Sequence, residues 1–218
     1  MRTIFLLLVA GVLSACSTMS SRERMQSDVE QSAAIIERFE AIPEKGIPPA
    51  VIRAARGVAV LTVTKAGFIG SGRGGTGVVI ARTANGWSGP SAIGTGGIGV
   101  GFQAGVEITE FVIVLNTPAA VEAFAQGGNV TLGGNLSVAA GPVGRSAEGN
   151  VAVQAAMYSY SRTQGLFAGI SLEGTVIGTR DSVNEGYYGA PVRPMDILTG
   201  KVRPPRDAER LISVLRRY

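Results

Sequence analysis

The chain has 218 residues, with 20 Lys and Arg against 16 Asp and Glu, no His and one Cys. Its length suits one domain, and 45% hydrophobic residues with a mean hydropathy of +0.27 exclude a disordered chain. Without His there is no Ser-His or Cys-His nucleophile pair and no His-ligated metal, and one Cys excludes an internal disulfide and a Cys-based zinc site. Few aromatics and 31 glycines point away from most hydrolases and redox enzymes, and no cofactor is implied.

The chain opens on Arg2 and the apolar run from Ile4 to Val12. A membrane-spanning helix needs about 20 apolar residues, so this run has the length of a signal-peptide core instead. Leu13-Ser14-Ala15-Cys16 follows and resembles the lipobox of bacterial lipoproteins, L/V-A/S/T-A/G-C. That resemblance implies a signal peptide over residues 1–15, a Cys16 carrying acyl chains such as palmitate, a lipidated tether over 16–21 and a single domain over 22–218. Ser17 rather than Asp after the Cys implies an outer-membrane, periplasm-facing address. A secreted protein cut elsewhere, with Cys16 incidental, is the alternative. Each acyl CH₂ buried in a bilayer contributes about 0.8 kcal/mol, so two or three chains anchor stably.

Residues 22–41 predict a helix, with Met25, Val29, Ala33, Ile36 and Phe39 on one apolar stripe. Gly46-Ile47-Pro48-Pro49 breaks it, and a short helix is expected over 49–55. The period then changes to two, predicting strands over 58–64 and 77–82. A longer strand is expected from Ile98 to Thr109, with Ile98, Val100, Phe102, Ala104, Val106 and Ile108 on one face and mostly glycine on the other. Residues 67–105 hold 14 glycines in 39 positions, which predicts a sharply curved sheet. Thr117 and Pro118 cap a helix over 119–126 that ends at Gly127-Gly128. Strands are expected over 130–132, 136–140, 151–160 and 166–177, and a last helix over 206–217. The fold class is α+β: a strongly curved, Gly-rich antiparallel sheet, barrel- or sandwich-like, with N-terminal, middle and C-terminal helices.

Charge is segregated along the chain. Residues 16–44 carry three basic and six acidic residues, whereas residues 45–106 carry six basic and no acidic ones. Residues 107–196 are net acidic, and residues 197–218 carry six basic residues against two acidic. Basic stretches suit an anionic membrane, at about 1 kcal/mol per Lys or Arg near the surface; an unevenly charged solvated surface is the plainer reading. Nucleic acid is not expected, since no aromatic stacking platform is present.

Gly70–Gly75 and Gly94–Gly99 both match G-x-G-x-x-G, but strand rather than helix follows each, which argues against a dinucleotide loop. Glu107 with Glu110, or Asp181 with Glu185, are carboxylate pairs on paper; a hydrolase would need such a pair facing across the scissile bond.

The most distinctive stretch is Tyr160-Ser161-Arg162-Thr163-Gln164-Gly165-Leu166-Phe167-Ala168-Gly169-Ile170-Ser171-Leu172-Glu173-Gly174. It resembles the signature of the SYLF domain family, Y-S-R-x-x-G-L-F-A-G-x-S-L-E-G. Gly86-Trp87-Ser88-Gly89-Pro90, Ala139-Ala140-Gly141-Pro142-Val143-Gly144-Arg145 and Asn184 to Gly189 resemble further family motifs in the family's order. The resemblance covers about residues 30–190. It implies lipid binding without catalysis; eukaryotic members bind phosphoinositides and yeast members also bind actin. Animal members use an amphipathic N-terminal helix at the membrane, but here that helix is net acidic, unlike a basic interfacial helix. Headgroup contact is therefore expected from Lys65, Arg73, Arg82 or Arg162, with a structural pairing of Arg162 to Glu173 or to backbone carbonyls as its alternative. The expected function is non-enzymatic binding of anionic phospholipid headgroups by a domain held at the membrane through acylated Cys16. An envelope scaffold for a protein or peptidoglycan partner is the second reading, and a hydrolase using Glu107 and Glu173 the third.

Overall fold

The structure is a computed structural model that describes residues 19–41, 46–67, 70–100, 105–126, 130–132, 137–142, 155–165 and 175–218. The expected signal peptide, Cys16, residues 16–18 of the expected tether and the Leu166–Gly174 part of the family signature lie outside the described residues.

Helix α1 spans Ser21–Glu40. It starts where Ser20 and Glu23 form a reciprocal capping box: the Ser20 hydroxyl accepts from the Glu23 N–H at 3.2 Å, and Glu23 accepts from the Ser20 N–H at 2.7 Å. The stripe expected from sequence, Met25, Val29, Ala33, Ile36 and Phe39, is buried, and Ile35 joins it. Helix α2 (Pro49–Ala54) begins with Pro at its first turn. The strands are β1 (Gly57–Gly67), β2 (Gly70–Thr83), β3 (Gly86–Trp87), β4 (Ser91–Val100) and β5 (Gly105–Leu115). Helix α3 (Pro118–Ala125) follows, capped by Thr117, whose hydroxyl accepts from the Ala120 N–H at 3.1 Å. Then come β6 (Val130–Thr131), β7 (Val138–Ala140), β8 (Met157–Gly165), β9 (Val176–Thr179), α4 (Asp181–Tyr188) and α5 (Pro194–Leu198). A 3₁₀ turn over Arg206–Ala208 leads into α6 (Glu209–Arg216).

Among the described residues the strands form one curled sheet, a half-barrel in the order β6-β9-β4-β2-β1-β5-β8-β7, with β3 paired to β2. Every described pairing is antiparallel except β7 with β8, which is parallel. The α+β class with helices at both ends and in the middle is thus the observed one.

The sheet carries a core on each face. Even-numbered residues of the central strands (Val58, Val60, Val78, Ile80, Val112, Val114) pack with α1, α4 and α6. Odd-numbered ones (Ala59, Leu61, Val63, Val79, Phe111, Ile113) pack with α3 and Leu198 of α5. Glycine permits the curl by close approach. A Cβ on Gly77 would stand 1.9 Å from the Val60 carbonyl oxygen and 2.8 Å from the Leu61 Cα, so no other residue fits there.

Three expectations need correction. The single strand expected over Ile98–Thr109 is two strands: β4 pairs with β2 and β5 with β1, on opposite sides of the β1–β2 hairpin. The period-2 pattern continues through residues 101–104, which lie outside the described residues. Strand β2 begins at Gly70 rather than at 77, since exposed Gly72 and Gly74 leave its first half without an apolar signal. Helices α4 and α5 were not expected. In α4, Gly186 argues against a helix, but a Cβ there would stand 2.6 Å from the Ser21 Cβ of α1, so glycine is what lets the two helices cross.

Candidate functional site

The antiparallel register places Lys65 directly opposite Arg73 on β2 and Glu107 on β5. All three project from the odd-numbered face, near the end of the sheet where β1 meets β2. Adjacent like charges on neighbouring strands repel, and Glu107 supplies the opposite charge in the same row. Glu107 is buried, at 3% exposure, and accepts from the Thr109 hydroxyl at 3.2 Å. Arg73 extends over Gly97 of β4, where a Cβ would stand 2.9 Å from Arg73 Nε. Part of the glycine-rich face is therefore the bed of an arginine side chain.

Among the described residues no helix covers the even-numbered face of the same end. Val106 is 58% and Ile108 43% exposed, although their neighbours Glu107 and Thr109 are buried. Ala66 and Thr64, opposite them on β1, are also exposed. Alternation alone identifies Val106 and Ile108 as belonging to an apolar face, but it cannot tell that no helix covers this part of it. Helix α1 reaches only as far as Glu110, which Arg38 holds in a bidentate pair at 2.5 and 3.2 Å. On its other side α1 stops at Thr76, whose hydroxyl donates to Asp28 at 2.8 Å.

The other two expected headgroup residues are elsewhere. Arg82 lies at the opposite end of β2 and on the even-numbered face. Its guanidinium stacks 4.5 Å over the Trp87 ring and donates to the Ile52 carbonyl at 3.3 Å, while burial lowers its pKa below the usual arginine value. Arg162 on β8 stands opposite Glu110, which is already engaged by Arg38. Among the described residues Arg162 makes no ion pair, and Glu173 lies outside them. Lys65 and Arg73 thus come together, whereas Arg82 and Arg162 join neither them nor each other.

The Glu107–Glu110 pair does not assemble. Glu107 and Glu110 leave opposite faces of β5, so they cannot flank one bond; Asp181 and Glu185 are exposed on α4. Gly70–Gly75 and Gly94–Gly99 sit inside β2 and β4, with no helix opening after them. Among the described residues no group of three His, Cys, Asp or Glu could hold a metal, and no helix is long and apolar enough to cross a membrane.

The motif residues instead lock the fold. Asn184, fully buried, accepts from the Ala92 N–H at 2.7 Å and donates to the Ser91 hydroxyl at 3.2 Å, fixing α4 to the start of β4. Tyr188 donates to the Pro90 carbonyl at 2.9 Å, and Gly189 ends α4 in the left-handed conformation, φ +77°. Ser88 accepts from the Ala81 N–H at 3.0 Å. Tyr160 lies where a Gly141 Cβ would be and donates to the Pro142 carbonyl at 3.1 Å. The motifs around Trp87, Gly141 and Asn184 are joints between elements.

Residues 96–218 match the Ysc84 family, described as Las17-binding protein actin regulator. The chain is 49% identical over 199 residues to SH3 domain-containing YSC84-like protein 1 of Bos taurus, covering 88% of this chain and 58% of that protein. It is 51% identical over 174 residues to an SH3 domain-containing protein of Schizosaccharomyces pombe, covering 78% of this chain and 40% of the other. Its identity to LAS seventeen-binding protein 3 of Saccharomyces cerevisiae is 48% over 174 residues, 78% of this chain and 38% of the other. The chain spans less than two thirds of the length of these relatives.

Proposed function

The chain belongs to the Ysc84 family, and we propose that its domain is a non-catalytic binding module that docks on anionic phospholipid headgroups at a membrane surface. The observation that carries this reading is the Lys65–Arg73 end of the sheet. It presents two cations on one face and exposed Val106 and Ile108 on the other. Lowered onto a bilayer, such an end sets its apolar side chains among the headgroups and its cations beside phosphate. Each basic residue contributes about 1 kcal/mol near an anionic surface, and the two partly exposed aliphatics add roughly 1–2 kcal/mol each. A sum of that size gives only weak docking, so a second attachment is needed. Acyl chains on Cys16 supply it, by holding the domain at high effective concentration over an outer-membrane surface.

The test is co-sedimentation of a Cys16→Ser chain with vesicles, anionic against zwitterionic, at low and moderate salt. Binding selective for anionic vesicles, weakened by salt and lost in Lys65→Glu/Arg73→Glu, is the expected result. Equal binding to both vesicle types, or binding untouched by the charge reversal, refutes the reading. Acylation itself is checked by mass spectrometry of the N-terminal peptide of the mature chain. A second reading, a protein partner, is favoured by the family's description as Las17-binding. It gains ground if unacylated chain ignores vesicles altogether.

A further inference from the structure

Far from the Lys65–Arg73 end, α3, α5 and the turn between β2 and β3 enclose a cleft of about 490 Å³. Its walls are apolar: Val121 and Ala125 from α3, Met195 and Leu198 from α5. Arg56 and Arg82 both line one side, and their backbones meet where the Arg82 backbone N–H donates to the Arg56 carbonyl at 2.8 Å. Neither makes an ion pair among the described residues. Arg82 Nε is buried without any hydrogen-bond partner, an expensive state for a charged donor. Glu122 also lines the cleft, but its carboxylate accepts from Gln126 rather than from either arginine. Two arginines against one glutamate leave the cleft one positive charge in excess.

We infer that this cleft is a binding site for a small monoanionic amphiphile, an alkyl carboxylate whose head meets Arg56 and Arg82 and whose tail lies along α3 and α5. The charge excess matches a single anion. The volume is that of a small-ligand site, and an apolar wall with a few convergent polar groups is what such sites present. A carboxylate accepts two parallel N–H donors from a guanidinium, which the exposed Arg56 side chain can offer at the mouth of the cleft. The membrane-docking residues Lys65 and Arg73 lie nine positions along the chain from Arg56 and Arg82, roughly 30 Å at about 3.3 Å per residue, so the two sites are separate.

Trp87 is the chain's single tryptophan and stacks on Arg82, so its fluorescence reports engagement of that arginine. The full chain is titrated with decanoate below its micelle concentration, with decanol and inorganic phosphate as matched probes. A saturable Trp87 response to decanoate is expected, with apparent affinity at least tenfold weaker for decanol and for phosphate. Arg56→Gln, at an exposed side chain, and Val121→Asp, on the apolar wall, should each weaken decanoate at least tenfold while circular dichroism stays unchanged. Lys65→Glu/Arg73→Glu should leave the decanoate response intact, which separates this site from vesicle docking. Absence of a saturable response, decanol or phosphate matching decanoate, or both cleft variants binding like wild type would overturn the inference.

Discussion

Asn184→Ala tests the claim that the Asn184 motif is a structural joint. The side chain is fully buried and satisfies two groups at the start of β4, the Ala92 N–H at 2.7 Å and the Ser91 hydroxyl at 3.2 Å. Truncation leaves the Ala92 N–H without an acceptor, at about 1–3 kcal/mol. Adding the second bond and the small cavity gives an expected loss of roughly 2–4 kcal/mol. For a domain of this size each kcal/mol moves Tm by about 2–4 °C, so thermal unfolding followed by circular dichroism should shift down by roughly 5–15 °C. Asn184→Asp adds a pH test. The charged carboxylate still accepts from Ala92 but is buried, so its folded pKa must rise above the unfolded value of about 3.9. A raised acid pKa means that the folded state binds the extra proton. Asn184→Asp is therefore destabilised at pH 7 and regains stability, relative to wild type, as pH falls through the folded pKa toward about 4. There the protonated acid accepts from Ala92 and donates to Ser91, as asparagine does. A loss below about 0.5 kcal/mol for Asn184→Ala, or an Asn184→Asp variant as stable as wild type at pH 7, would refute the joint.

Three further outcomes follow from the packing. Gly77→Ala forces a Cβ against the Val60 carbonyl and the Leu61 backbone, so the variant should fail to fold, as judged by loss of its cooperative unfolding transition. Arg38→Met leaves Glu110 buried without its bidentate partner; since Arg38 is itself partly exposed, water relieves some of the penalty, and denaturant titration should show a loss of about 1–3 kcal/mol. Asp28 lies above its ordinary pKa because desolvation outweighs the Thr76 and Arg180 contacts, Arg180 pairing it at 2.7 Å. Its folded state therefore holds the proton more tightly, and wild type should gain stability relative to Asp28→Asn as pH falls from 7 toward 4; a pH-independent difference would contradict that assignment.

The helices bounding the chain were legible because their signals are local. A five-residue apolar stripe defines α1 whatever surrounds it, although the Ser20–Glu23 capping box that starts the helix lies in the stretch read as tether. Sheet curvature was legible from glycine density, but strand limits were not, because glycine carries no facing information. That omission also hid the site geometry. Arg73 and Arg82 are nine positions apart on β2, and an odd separation within one strand puts side chains on opposite faces. With β2 read as 77–82, Arg73 fell outside the strand and the parity could not be applied. Exposure of Val106 and Ile108 depends on where α1 stops across the sheet, which is a tertiary fact. The cleft is a tertiary fact too: Arg56, α3 and α5 are far apart in sequence, and α5 carries no local signal of its own.

The segregated charge of the chain has an internal use that narrows where a ligand can bind. Acidic α1 faces basic α6: Arg210 pairs with Glu30 and Glu37, and Arg217 with Glu37 at 3.1 Å and Glu40 at 3.5 Å. These exposed pairs add little stability, yet they neutralise much of the excess charge of the C-terminal segment. The acidic N-terminal helix is thus occupied by the chain's own arginines, and Asp28 on its inner side by Arg180. An N-terminal helix so engaged cannot also lie on an anionic surface without first giving up α6. The acid-free stretch of residues 45–106 is different, because its cations meet few carboxylates; Arg56, Arg73 and Arg82 make no ion pair among the described residues. Strand geometry splits them between the two ends of the sheet, so the stretch does not make one basic face. The two proposed anion sites are therefore small and separate, each with too little charge to bind tightly without apolar help: exposed Val106 and Ile108 at one end, the α3–α5 wall at the other.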